Sequence, residues 1–190
     1  MAEWRKLRPY RVLDFDLENR PLNYVGEDFT FGEITGIAWA FIGAKRQDIA
    51  CYCLGEVPFR TMLLAFVTAY VSADLVTGHN IIKHDLRIIN GALLEEGLSP
   101  LPPKMVSDTY LHLRKKGGVS GSQESLAAML GVRSPKVGMS QADWREANRL
   151  TPEGIAKTRK RCVGDVRQHM ALRKELLGRG WLRPPTLWRP

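Results

Sequence analysis

The stretch VLDFDLEN, residues 12–19, decides how the rest of the chain is interpreted. Apolar and acidic residues alternate along it, which is the period of a β-strand with one apolar face. The acids are Asp14, Asp16 and Glu18. Buried carboxylates without a partner are costly. Three carboxylates on one face of a strand must therefore face solvent, contact basic groups or bind a metal ion.

The length and composition indicate one globular domain. The chain has 190 residues, of which 44% are hydrophobic and 25% charged, as in ordinary soluble proteins with a substantial core. No apolar run approaches the roughly 20 residues that span a bilayer, and the basic N-terminus does not resemble a secretory signal. We therefore expect a cytoplasmic protein with no membrane contact. Three cysteines without a second pair do not predict a zinc site.

The charge balance favours a polyanionic partner. The chain carries 28 Lys and Arg against 20 Asp and Glu, a net charge of +8, with a pI near 9.6. Such an excess suits nucleic acid. The same excess is also found in proteins that never bind nucleic acid. The positions of the acidic residues are therefore more informative than the net charge.

The order of predicted elements is β-β-β-α-β-α-β-α-α. Three strands form an opening meander, and a long last helix runs from the Thr151 cap to about Gly178. This order predicts one α/β domain over residues 1–178, with helices on the faces of a mixed sheet. Residues 105–115 are expected to form a strand or extended segment leading into a loop, and residues 133–150 a loop with a turn of helix. Residues 179–190 are expected to form an extended or partly disordered tail.

Further acids lie in suggestive positions. Asp85 follows a Gly-His-Asn turn at the start of a predicted helix, and Asp165 lies among apolar residues of the last helix. Together with Asp16 and Glu18 they make four carboxylates on three elements, each flanked by residues that should be buried. Hard divalent cations prefer such oxygen ligands. The pattern therefore suggests a two-metal site.

Three motifs in order carry a family resemblance: FDLENRP, GHNIIKHD and CVGDV. On them the chain resembles the DnaQ-like, or DEDD, family of 3′→5′ exonucleases, over about residues 10 to 177. The resemblance implies a ribonuclease H-like mixed β-sheet that starts with three antiparallel strands and continues with parallel ones, with helices on both faces. It selects Asp16 and Glu18 rather than Asp14, which we expect to be solvated.

The same resemblance implies two divalent cations, Mg²⁺ or Mn²⁺, about 4 Å apart. Asp16 would bridge them, with Glu18 and Asp165 on one ion and Asp85 helping to hold the other. One ion would present hydroxide to the scissile phosphate and the other would stabilise the departing 3′-oxygen. The expected reaction is release of nucleoside monophosphates from single-stranded or frayed 3′ ends of DNA or RNA.

The chain departs from the family pattern at one place. Members usually carry a Tyr four residues, or a His five residues, before the last Asp, and here these positions hold Arg161 and Lys160. Three alternatives follow: the metal alone activates the water, His169 one turn further along supplies the base, or the activity is weak or altered. Arg161, Asp165 and His169 lie on one helical stripe, which is equally consistent with a surface row of ion pairs.

Several residues are candidates for contacts with the strand being cut. They are Asn80, His79, Arg161, Lys160, Arg114, Lys115 and Lys116. His79 is as consistent with a structural turn residue as with a substrate contact. Trp144, expected in a loop, is a candidate for stacking on a base. Two other functions remain open: a structure-specific endonuclease or ribonuclease with the same metal centre, and an inactive nucleic-acid-binding module. The sequence leaves open whether a polymerase or another replication protein is a partner.

Overall fold

The computed structural model describes residues 10–21, 32–45, 48–115, 121–133 and 137–190. Within them lies a six-stranded sheet in the order β3-β2-β1-β4-β5-β6. The strands are β1 (Val12–Arg20), β2 (Glu33–Phe41), β3 (Ala50–Cys53), β4 (Leu75–Gly78), β5 (Lys104–Asp108) and β6 (Thr186–Trp188). The helices are α1 (Phe59–Ser72), α2 (Asp85–Glu95), α3 (Thr109–Lys115), α4 (Gln123–Met129), α5 (Gln141–Asn148) and α6 (Pro152–Gly178).

The sheet is mixed, with the acidic strand β1 at its centre. β1 pairs antiparallel with β2 and parallel with β4, while β2 with β3 and β5 with β6 are antiparallel. β4 and β5 are parallel. The predicted start of three antiparallel strands followed by parallel ones is therefore confirmed. Asp16 pairs with Ala38 and Glu18 with Gly36, and the register shifts after Glu18, a bulge of the kind that bends a strand.

Helices cover both faces of the sheet, as predicted. Leu13 and Phe15 of β1 are buried in a core shared with Phe66 of α1 and residues of α2. The opposite face of β2 packs against α6 through a second cluster that includes Ala38 and Val166. Because strand side chains alternate between faces, the acids of β1 lie on the α6 side. The fold thus directs its acids towards one helix.

Helix α6 begins and ends where the sequence predicted. The Thr151 hydroxyl accepts a hydrogen bond from Gly154 N at 3.1 Å, and Pro152 occupies the first turn, which suits a residue without an N–H. The helix ends at Gly178. Its 27 residues include many charged side chains, and no helix within the described ranges is long and apolar enough to cross a bilayer.

Two expectations about local structure are wrong. Residues 109–115 form helix α3 rather than a continuation of the strand, and Gln141–Asn148 is a full helix, α5, rather than a loop with one turn. Ser140 and Asp143 cap α5 reciprocally, a strong start signal. The helix buries Ala147 and leaves most other residues partly or fully exposed, so its few apolar residues give little signal. Trp144 accordingly lies on a helix.

The C-terminal residues after α6 join the sheet. Thr186–Trp188 pairs antiparallel with β5 as the edge strand β6, and Trp188 packs against the main core. Two prolines just before the strand obscured its pairing, because proline is typical of turns and strand edges. The segment 179–190 therefore contributes a strand to the sheet.

Candidate metal centre

Three carboxylates from two elements form one cluster. Asp16 and Glu18 of β1 and Asp165 of α6 each offer a ligand oxygen, and these oxygens lie within 4.8 Å of one another. Asp165 is buried, and the two strand acids are half-buried. The strand period places both β1 acids on one face, and α6 crosses that face. An all-carboxylate donor set fits a hard divalent cation such as Mg²⁺ or Mn²⁺, so these residues can hold a metal.

Asp85 lies directly beside this cluster. It is the first residue of α2, and its Oδ1 accepts a hydrogen bond from Leu17 N, between the two acids of β1, at 3.2 Å. Its Oδ2 lies 3.3 Å from His84 Nδ1, and this hydrogen bond raises the pKa of His84. In the part of the chain that the structure describes, Asp85 is not one of the acids whose oxygens lie within 4.8 Å of one another. Its predicted part in holding a second cation stays a prediction.

Arg161 points its guanidinium into the acid cluster. Nε donates to Glu18 Oε1, Nη2 lies 3.7 Å from Asp165 Oδ2, and Nη1 donates to the Val137 carbonyl at 3.1 Å. Its Cζ also lies 5.1 Å from the centre of the Trp144 ring. Burial acts to lower the pKa of Arg161, but the carboxylates of the cluster together raise it above its ordinary value. The ring of Trp144, a candidate for stacking on a nucleobase, thus packs against this arginine.

Asp14 and His169 form a buried pair behind the cluster. The Asp14 carboxylate lies 2.8 Å from His169 Nδ1, and His169 Nε2 lies 3.0 Å from the Thr109 hydroxyl. Asp14 is 0% and His169 1% exposed. Burial raises the pKa of Asp14, opposed by its interaction with His169. The expectation that Asp14 is solvated is therefore wrong.

The same contacts bear on His169 as a candidate base. Both of its ring nitrogens have partners inside the protein, and its side chain is closed off from solvent. A general base must reach the proton that it removes. The geometry is that of a structural histidine that ties α6 to β1, and it corrects the idea that the Arg161–Asp165–His169 stripe is a surface row of ion pairs.

The Gly-His-Asn turn is held from within. His79 Nδ1 lies 3.0 Å from the Thr109 hydroxyl and Nε2 lies 3.1 Å from the Gly121 carbonyl. Asn80 adopts a left-handed φ of 68°, and its N–H donates to the buried Asp108 at 3.0 Å. These bonds favour the structural interpretation of His79. Asp108 accepts hydrogen bonds from Asn80 N and Ile82 N and so caps the turn that precedes Asp85.

Three of the other predicted substrate contacts lie on helices α3 and α6, and one lies beyond the described residues. Arg114 and Lys115 fall in the last turn of α3, with Arg114 exposed. Lys160 is exposed on α6, next to Arg161. Lys116 lies outside the described residues. Contacts of these residues with a nucleic acid stay predictions.

The structure adds basic residues that the sequence reasoning missed. A pocket of about 210 Å³ is lined by Asn19, Lys83, His84, Arg87 and Ile88. Asn19 directly follows Glu18, and His84 directly precedes Asp85, so the pocket adjoins the acids. Lys83 and Arg87 are four residues apart on either side of Asp85 in the motif KHDLR. The positive charges on both sides of Asp85 were the available signal.

Comparisons with known proteins give the fold. No protein-family model matches the chain, and no curated protein matches it. Among solved structures it is similar to the family B DNA polymerase from the hyperthermophilic archaeon Pyrobaculum calidifontis, with a TM-score of 0.71 and 18% sequence identity. The match covers 89% of this chain and 25% of that polymerase chain, so this chain spans about a quarter of the polymerase chain. With the mixed sheet described above, this similarity confirms the predicted α/β, ribonuclease H-like fold.

Proposed function

We propose that this protein is a metal-dependent 3′→5′ exonuclease that releases nucleoside monophosphates from single-stranded or frayed ends of DNA or RNA. The observation that carries the proposal is the convergence of Asp16, Glu18 and Asp165 within 4.8 Å. A cluster of carboxylates in a basic protein costs stability unless a cation neutralises it. The three motifs predicted these acids, and the fold brings them together.

The chain's own residues divide the work of cation binding. Asp16, Glu18 and Asp165 supply the oxygen ligands, and Asp85 borders them through its hydrogen bond to Leu17 N. Bound divalent cations lower the pKa of water and neutralise charge on a scissile phosphate and its leaving oxygen. Neither Arg161, which stays protonated at all working pH values, nor the buried His169 offers a side-chain base.

The surroundings of the acids support a nucleic-acid substrate. Lys83 and Arg87 line a pocket together with Asn19 and His84, the chain neighbours of Glu18 and Asp85, and positive side chains there would hold the phosphates of a strand. The net charge of +8 favours the same class of partner. The structurally similar polymerase is also named for its action on DNA.

The product pattern tests the proposal. 5′-Labelled single-stranded DNA and RNA of one sequence are incubated with Mg²⁺, Mn²⁺ or EDTA. A ladder that shortens from the 3′ end only with metal, together with released mononucleotides, is the expected result, and it also gives the sugar preference. Internal cuts would instead assign the structure-specific endonuclease. Intact strands with retained binding in every metal would assign the inactive binding module and overturn the proposal.

A further inference from the structure

The acid cluster already contains one positive charge of the protein's own. The Arg161 guanidinium contacts Glu18 and lies 3.7 Å from Asp165, two of the three carboxylates of the cluster. The guanidinium is planar, permanently charged and able to donate several hydrogen bonds at once. It therefore sits where it competes directly with a metal ion for these oxygens.

Two further contacts hold this guanidinium in place. Nη1 donates to the Val137 carbonyl at 3.1 Å, and the Trp144 ring of α5 lies 5.1 Å from Cζ. The side chain of Arg161 is only 14% exposed. Groups from β1, α5, α6 and the segment before α5 thus surround one arginine. An exposed ion pair contributes little to the free energy of unfolding, because both partners are mobile and solvated. The guanidinium of Arg161, in contrast, is held by contacts from several elements.

The charges of the cluster then match a single divalent cation. Asp16, Glu18 and Asp165 carry three negative charges when ionised, and Arg161 returns one. The two remaining negative charges balance one ion with a charge of two. Asp85 is not counted, because it lies outside this group of three oxygens and its Oδ2 lies 3.3 Å from His84 Nδ1. A second divalent ion in the same group would place an excess of positive charge around a half-buried arginine, which surroundings of low dielectric constant penalise.

We propose that Arg161 takes the place of one of the two cations, so that the Asp16–Glu18–Asp165 cluster binds a single divalent ion. This inference rests on the cation-binding part of the proposed function. In a complex with a nucleic acid, the guanidinium supplies at the scissile phosphate the fixed positive charge that a second ion would otherwise provide. The substitution that breaks the family pattern is thereby an internal counter-ion.

Binding of Mn²⁺ without nucleic acid tests this inference. Isothermal titration calorimetry, with electron paramagnetic resonance of free Mn²⁺, gives the stoichiometry and affinity of the wild type, Arg161→Gln and Arg161→Lys. We expect one ion per chain for the wild type. For Arg161→Gln we expect a second ion or an affinity at least about tenfold higher, because a charge at 4 to 6 Å changes the affinity of a carboxylate for a proton by about tenfold or more. Arg161→Lys keeps the charge and should keep one ion.

Lys160→Gln is the matched control. It removes the same charge from the neighbouring, exposed position of α6, so its Mn²⁺ affinity should stay close to that of the wild type. Circular dichroism establishes that each variant is folded. Two ions in the wild type, equal binding by the wild type and Arg161→Gln, Arg161→Lys behaving like Arg161→Gln, or no binding by any variant would each overturn the inference. Since no strand is cleaved here, a failure of nuclease activity would be recognised separately by the product assay.

Discussion

Two aspartates on one strand face show how position alone separates structural from functional acids. Asp14 and Asp16 are two residues apart on β1. Asp14 is buried and paired with His169, whereas Asp16 belongs to the cluster with Glu18 and Asp165. The alternation of VLDFDLEN predicted the shared face. The partner of each acid could not be predicted, because it depends on where α6 crosses the strand, and His169 lies 155 residues from Asp14 along the chain.

The Asp14–His169 pair should be coupled energetically. Asp14→Ala or His169→Ala leaves one buried polar partner alone, and each should lower the free energy of unfolding by about 3 kcal/mol or more. The double variant should lose clearly less than the sum of the two. Urea unfolding of the four proteins measures this coupling. Additive losses would show that the two side chains do not interact as the structure describes.

Arg87 should act on substrate binding rather than on the chemical step. Arg87→Ala is expected to raise KM with little change in kcat, because it removes a phosphate contact beside the acids. It should also reduce the slope of log affinity against log salt by about 0.7, the value for one contact with a single strand. Arg179→Ala, at an exposed arginine just after α6, is the control. A fall in kcat with unchanged KM would contradict this assignment.

At the scale of elements, the approach of α6 to the sheet positions Asp165. A Cβ atom added at Gly36 would lie 2.8 Å from Thr158 Cγ2 and 3.0 Å from Cys162 Sγ. The backbone of β2 at Gly36 therefore packs directly against two side chains of α6. Gly36 also pairs with Glu18. The cap and proline of α6 predicted its start, whereas this contact involves residues far apart in sequence, which no local pattern reveals.

Gly36→Ala should therefore disturb both stability and the site. The added methyl group pushes α6 away from β2, at a cost of about 1 to 3 kcal/mol, and Asp165 moves with the helix. We expect a lower melting temperature and a weaker affinity for Mn²⁺. Gly138→Ala, where an added Cβ meets no atom within 4 Å, should change neither. Unchanged Mn²⁺ affinity in a destabilised Gly36→Ala would show that the position of Asp165 does not depend on this contact.

For the whole molecule, the order of the motifs along the chain predicted the fold, and the sheet explains why. β1 lies centrally between β2 and β4. Its acids face α6, and its Leu17 N–H donates to Asp85 at the start of α2. The edge strand β6 was not predicted, because three residues after two prolines carry too little pattern to indicate pairing with β5. Helix α5 was missed for a related reason, since it buries little apolar surface.

The thiols of Cys162 in α6 and of Cys51 and Cys53 in β3 predict how the free energy of unfolding depends on pH. The hydrogen bond with Cys51 lowers the pKa of Cys162, but burial and nearby carboxylates raise it overall from 9.0 to about 11. The pKa values of Cys51 and Cys53 are also raised, chiefly by hydrogen bonds among the thiols. The unfolded chain loses these protons near pH 9 and the folded protein only above about 11. The free energy of unfolding should therefore fall as pH rises through this window.

Replacement of the three cysteines by alanine isolates this effect. Urea unfolding at pH 8, 9, 10 and 11 should show a shallower loss of stability in the variant than in the wild type, although lysines and tyrosines titrate in both. Equal slopes would mean that the thiols do not remain protonated in the folded protein.

The most direct test of the central claim compares acids of equal charge in the proposed reaction. Release of the 3′-terminal nucleotide is measured in saturating Mg²⁺ or Mn²⁺ for the wild type, Asp16→Asn and Asp48→Asn, the last at an exposed turn between β2 and β3. We predict a loss of about 100-fold or more for Asp16→Asn, since metal ligation contributes several kcal/mol to such reactions, and wild-type rates for Asp48→Asn. A folded Asp16→Asn that releases nucleotides at the wild-type rate would contradict the account.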